Sequence, residues 1–132
     1  MTPPAPTPGN TCKPGQLAIE GVRGGAYQGR EIAGVLFTNT SATPCTMSGY
    51  PSARLIRNGR PIGRPADDEP GTVKPVLLAN GQTAQTELTA VTTCQAPISD
   101  AVRIALPNWA HPVDAQVQLR ACSLSVSPIS RS

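Results

Sequence analysis

Along most of this chain apolar and polar residues alternate with a period of two, in short runs separated by Gly, Pro, Asn and Asp. Leu17 and Ile19 alternate with small or polar neighbours, and Ala84, Thr86 and Leu88 do the same. Val102-Arg103-Ile104-Ala105-Leu106 repeats the pattern, as do Val117, Leu119 and Ala121. Leu124 and Val126 continue from Cys122 on the opposite parity, which predicts a bulge or kink near Ala121-Cys122. In Glu31–Asn39 both alternating sets, Ile32/Leu36 and Val35/Phe37, are apolar, as expected of a central strand covered on both faces.

Turn chemistry places the joints. Asn58-Gly59, between Ser52–Arg57 and Arg60–Gly63, predicts a type I′ hairpin, since both residues accept positive φ. Asn80-Gly81 ends a strand expected over Val73–Leu78. Gly21–Gly29, with its four glycines, reads as a loop or irregular hairpin, and Arg64–Gly71 as a polar surface loop. The expectation is an all-β, immunoglobulin-like two-sheet sandwich of about eight short strands with two intrachain disulfides. It occupies residues 12–129, after a Pro/Thr-rich flexible linker at 1–11 and before a short tail at 130–132.

Composition sharpens this. With 3% aromatic residues, the core must come from Val, Leu, Ile and Ala, and such a thin core gains from covalent staples. The four cysteines, Cys12, Cys45, Cys94 and Cys122, contain no Cys-x-x-Cys pair and allow three pairings. Cys12–Cys45 with Cys94–Cys122 is favoured, because each bond then closes a loop within one half of the chain. Disulfides place the protein in an oxidising, secreted or cell-envelope compartment. Met1 leads directly into the Pro-rich run, which is expected to be a recombinant start behind a removed export segment. No apolar run reaches the ~20 residues of a membrane-spanning helix, so membrane contact is expected only through a lost lipid anchor.

Candidate chemistry is sparse. His111 is the only histidine, and no Gly-x-Ser-x-Gly elbow accompanies it, so catalysis is not expected. Nor is a metal or other cofactor, with the cysteines paired and the carboxylates scattered; Asp67-Asp68-Glu69 lacks the spacing of a calcium loop. The net charge of +3 is too weak and dispersed for nucleic acid. Two surfaces are binding candidates. Arg54, Arg57, Arg60 and Arg64 flank one hairpin and suit phosphate or carboxylate, or else keep an edge soluble. Trp109 and His111, in a loop between Pro107 and Pro112, could stack on a sugar or anchor a partner, unless Trp109 caps the core. Asn39-Thr40-Ser41 fits a glycosylation acceptor, a pattern without meaning in a bacterial source.

An early Cys12, Phe-Thr-Asn-Thr at 37–40, Pro-Cys-Thr-Met-Ser-Gly-Tyr-Pro at 44–51 and Leu-Ala-Asn-Gly-Gln-Thr-Ala at 78–84 form a pattern, completed by Cys94, Pro107 and Cys122. In this it resembles an actinobacterial domain of unknown function found in secreted proteins and lipoproteins of mycobacteria and streptomycetes. The likeness runs from Cys12 to about Pro128, and Cys-x-x-x-Gly-Tyr-Pro is its most specific element. It implies an exported β-sandwich module and no activity to carry over. The function expected is a non-enzymatic envelope module that binds an envelope protein, glycan or anionic lipid through its loops. The alternative is a small-molecule or lipid carrier with an apolar cavity between its sheets.

Overall fold

The computed structural model describes residues 11–132. All but Thr11 of the expected linker therefore lies outside the described residues. Thr11 itself already bridges to Thr46, and the Cys12 N–H donates to the Thr46 carbonyl.

A single 3-10 turn, Pro14–Gln16, leads into twelve strands among the described residues. The larger sheet has the order β1-β2-β8-β11-β6, built from Leu17–Tyr27, Arg30–Asn39, Thr83–Val91, Ser123–Val126 and Asp67–Asp68. The last strand, β12 (Ser130–Arg131), also pairs with β8. The second sheet runs β10-β9-β4-β5, from Val113–Ala115, Ala101–Ala105, Ser52–Arg57 and Arg60–Ile62. Cys45–Met47 (β3) and Val76–Leu78 (β7) form a small ladder of their own.

One buried cluster joins the sheets: Val35, Phe37 and Leu88 from the first meet Leu55, Val102 and Ile104 from the second. The arrangement is a sandwich, and its strand order explains the immunoglobulin likeness. An immunoglobulin constant domain pairs strands A, B and E in one sheet and C, F and G in the other. Here β1-β2-β8 and β10-β9-β4 repeat that order. The place beside strand E, filled there by strand D, is taken by the C-terminal β11, because β7 pairs with β3 instead.

Several sequence expectations are corrected. More strands form than the eight counted, since β6 and β12 are two-residue ladders without local pattern. Asp67-Asp68 is one of these: it pairs in parallel with Ser125-Val126 rather than looping free. Ser130-Arg131 is no tail but lies in register against Gln85-Ala84. Of the two readings of Gly21–Gly29, the irregular hairpin holds and the loop does not: these residues form the second half of β1, bulged between Arg23 and Ala26, with the turn at Gln28-Gly29. Strand β2 is fully buried on its Val35/Phe37 face only, while Ile32 and Leu36 are half-exposed. Of Val73–Leu78, only Val76–Leu78 pairs, and Val73 is exposed.

Val117 and Leu119 alternate inward as expected, yet no ladder holds them. Ser99 replaces it. Its hydroxyl donates to the Val117 carbonyl at 2.7 Å and accepts the Leu119 N–H at 3.0 Å, while its own N–H reaches the Leu119 carbonyl at 2.8 Å. The kink predicted at Ala121-Cys122 is present as a bend ahead of β11.

The Gly-Tyr-Pro element joins the two sheets. The Tyr50 hydroxyl donates to the Glu69 carbonyl, the Ile129 N–H to the Gly49 carbonyl at 2.8 Å, and Pro51 is buried.

Candidate functional site

Both staples form with the favoured pairing. Cys12–Cys45 spans 4.8 Å between Cα atoms and lies wholly in the core, while Cys94–Cys122 spans 5.8 Å near the surface. The first joins the chain start to β3, and the second ties the segment after β8 to the start of β11.

The arginine hairpin is built as its sequence dictates. Asn58 and Gly59 take φ of +52° and +76°, so the turn brings Arg57 directly opposite Arg60. Arg54 lies opposite Arg103 on the outward face of the same sheet. Arg103 is neutralised by a bidentate pair with Asp114, at 2.8 and 3.0 Å. That hydrogen bond, and then the carboxylate's charge, hold the Arg103 guanidinium above its ordinary pKa. Arg54, Arg57, Arg60 and Arg64 are exposed and have no carboxylate partner among the described residues. Arg54 rests on the Gly63 carbonyl at 3.0 Å and Arg57 on the Ile98 carbonyl at 3.2 Å. Arg57 and Arg60 share the turn, Arg54 lies on the outward face of β4 beside Gly63, and Arg64 follows Gly63 at the end of the hairpin.

Trp109 is not at a solvent-facing loop tip. It is 8% exposed, its ring meets Phe37 edge-on at 6.3 Å, and its indole N–H donates to the Cys12 carbonyl at 2.7 Å. The core-capping alternative describes its place, because a lone indole in an aromatic-poor domain is the largest apolar group available to bury. His111, two residues on, is exposed, so the two do not share a binding face.

The acidic turn is also absorbed into the fold. Glu69 Oε1 accepts the Ser125 hydroxyl at 2.8 Å, and the Glu69 N–H donates to the Val126 carbonyl. Among the described residues, no group of three or more His, Cys, Asp or Glu side chains is placed to hold a metal ion.

Sequence reasoning missed a cleft of about 630 Å³ beside the bulge of β1. Backbones converge there because glycine permits it. A Cβ on Gly21 would lie 2.1 Å from the Gln116 oxygen, and one on Gly24 2.4 Å from the Ile32 oxygen. Beside these close approaches lies an opening whose lining includes the buried Ala33, Val117 and Leu119. Its rim carries Arg23, Glu31 and Asp100, and the Arg23 guanidinium reaches Gln118 Oε1 at 3.5 Å. The Asp100 carboxylate also accepts the Asn58 N–H at 3.0 Å, which ties the cleft to the arginine turn. The glycine run inside a strand was the available signal, since such residues mark bulges and close backbone approaches.

No helix among the described residues is long and apolar enough to cross a membrane. A sequence family described as "Domain of unknown function (DUF4232)" matches residues 12–130. No curated protein and no solved structure matches the chain.

Proposed function

The chain belongs to the DUF4232 family of domains of unknown function, and we propose that it is a non-enzymatic, exported cell-envelope module that binds an anionic partner through its β4–β5 turn. The observation that supports this reading is Arg57 standing directly opposite Arg60. Like charges across an antiparallel pair destabilise it, by roughly 0.2–1 kcal/mol. No acidic side chain pairs with either arginine among the described residues. A bound phosphate or carboxylate relieves that repulsion and uses the planar fork of guanidinium. Export, in an actinobacterial secreted protein or lipoprotein, rests on the two disulfides together with the motif resemblance.

Co-sedimentation of the domain with vesicles of anionic and of neutral phospholipid tests the reading, with an acidic polysaccharide as a second probe. Retention on an anionic probe, falling with salt and abolished in Arg57→Glu/Arg60→Glu, is expected. Undiminished retention of that variant assigns the arginines to solubility alone.

A second reading, a small-molecule carrier, is favoured by the cleft beside β1. At about 630 Å³ it is of ligand size, and its apolar floor lies at the margin of the core.

A further inference from the structure

The cleft beside the β1 bulge combines three features that sit in three different parts of the chain. Its floor is aliphatic and short-chained: Ala33 from β2, and Val117 and Leu119 from the segment that Ser99 holds in place of a ladder. Its rim carries charges of both signs, Arg23 from β1, Glu31 from β2 and Asp100 from the segment before β9. None of these three forms an ion pair among the described residues. Asp100 uses one carboxylate oxygen on the Asn58 N–H, and Arg23 makes only a long bond to Gln118. The rim also presents the side-chain amides of Gln116 and Gln118, each able to donate and to accept.

A cation and carboxylates lining one opening, without pairing with each other, leave room for a ligand bearing the opposite charges. Resting on the carrier reading above, we propose that this cleft binds a short zwitterionic peptide with small aliphatic side chains. The peptide ammonium meets Glu31 and Asp100, and its carboxylate meets Arg23. Its amides meet Gln116 and Gln118, and its methyl groups cover Ala33, Val117 and Leu119. The bulge at Gly24-Gly25 serves this directly. It places no side chain beyond hydrogen at the mouth, so a peptide backbone approaches closely there.

Amide chemical-shift mapping of the intact domain tests the assignment, with trialanine as probe. N-acetyl-trialanine and trialanine amide remove one terminal charge each, and dodecanoate serves as an apolar probe without an ammonium. Trialanine is expected to shift the amides of 22–26, 31–33 and 116–119. Blocking either terminus should weaken binding about tenfold, the usual scale for one charge-assisted hydrogen bond. Arg23→Gln should remove the penalty for amidation and Glu31→Gln should reduce that for acetylation. Both side chains reach the surface, and an unchanged thermal melt verifies that the variants fold. Equal binding of the blocked and free peptides overturns the zwitterion assignment. Dodecanoate alone shifting these amides overturns it too, while leaving the carrier reading intact. If neither probe shifts them, both fall.

Discussion

The indole N–H of Trp109 donates to the carbonyl oxygen of Cys12 at 2.7 Å, across 97 residues of chain. Cys12 is at the same time bonded to Cys45, and its N–H donates to Thr46. The backbone N–H of Trp109 donates to the Leu106 carbonyl at 2.9 Å, which fixes the loop. The chain start is thus held against β3 and against the loop after β9 by one buried junction. Trp109→Phe keeps most of the contact with Phe37 but orphans a buried carbonyl. We expect a loss of about 1–3 kcal/mol by urea denaturation, and about 3–5 kcal/mol for Trp109→Ala. A near-neutral Trp109→Phe contradicts the junction.

Asn39 is fully buried, and its amide is used at every position. Its Nδ2 donates to the Thr43 and Leu78 carbonyls at 3.0 and 2.9 Å, and its Oδ1 accepts the Ser41 N–H and hydroxyl at 2.9 and 2.8 Å. The side chain therefore holds the turn between β2 and β3 against β7. Asn39→Leu, with the same branching and number of side-chain heavy atoms, should cost about 2–4 kcal/mol by leaving these groups unpaired. Denaturant midpoints check it.

The two disulfides differ in access. Cys12 and Cys45 are in the core, whereas Cys94 is exposed. Thiolate attack needs contact with sulfur, so mild dithiothreitol under native conditions should open Cys94–Cys122 first. Cys12–Cys45 should open only on unfolding. By loop-closure entropy each bond contributes about 3–4 kcal/mol. Timed alkylation with mass spectrometry follows the order, and simultaneous opening would refute it.

Gly21 and Gly25 lie in one strand but face different surroundings. A methyl at Gly21 would overlap both the Gln116 oxygen and Val117, while one at Gly25 meets nothing within 4 Å. Gly21→Ala should destabilise by about 1–3 kcal/mol, and Gly25→Ala should be neutral or slightly stabilising. Thermal melts of the two variants separate them.

What the sequence disclosed was whatever local pattern encodes. Asn58-Gly59 specifies its own turn, and Ala84-Thr86-Leu88 specifies which face of β8 is buried, because both depend on adjacent residues. Asp67-Asp68 could not be read as a strand, since it pairs with β11, more than fifty residues on, and both side chains stay exposed. Gly24-Gly25 left a loop and an irregular hairpin both open, because glycine permits either, and only pairing with β2 distinguishes them. At Trp109, one aromatic residue between prolines carries no periodicity, so its burial followed from the fold alone. For the cleft the glycine run marks only the bulge at its edge, while its floor and rim come together from segments distant in the chain.

Disulfide mapping of protein isolated from its natural source, alkylated at once and digested without reduction, bears most directly on the claim of a stapled sandwich folded outside the cytosol. The expected result is two cross-linked species, Cys12 with Cys45 and Cys94 with Cys122, and no alkylated cysteine. Four alkylated thiols, or cross-links between the two halves of the chain, would contradict it.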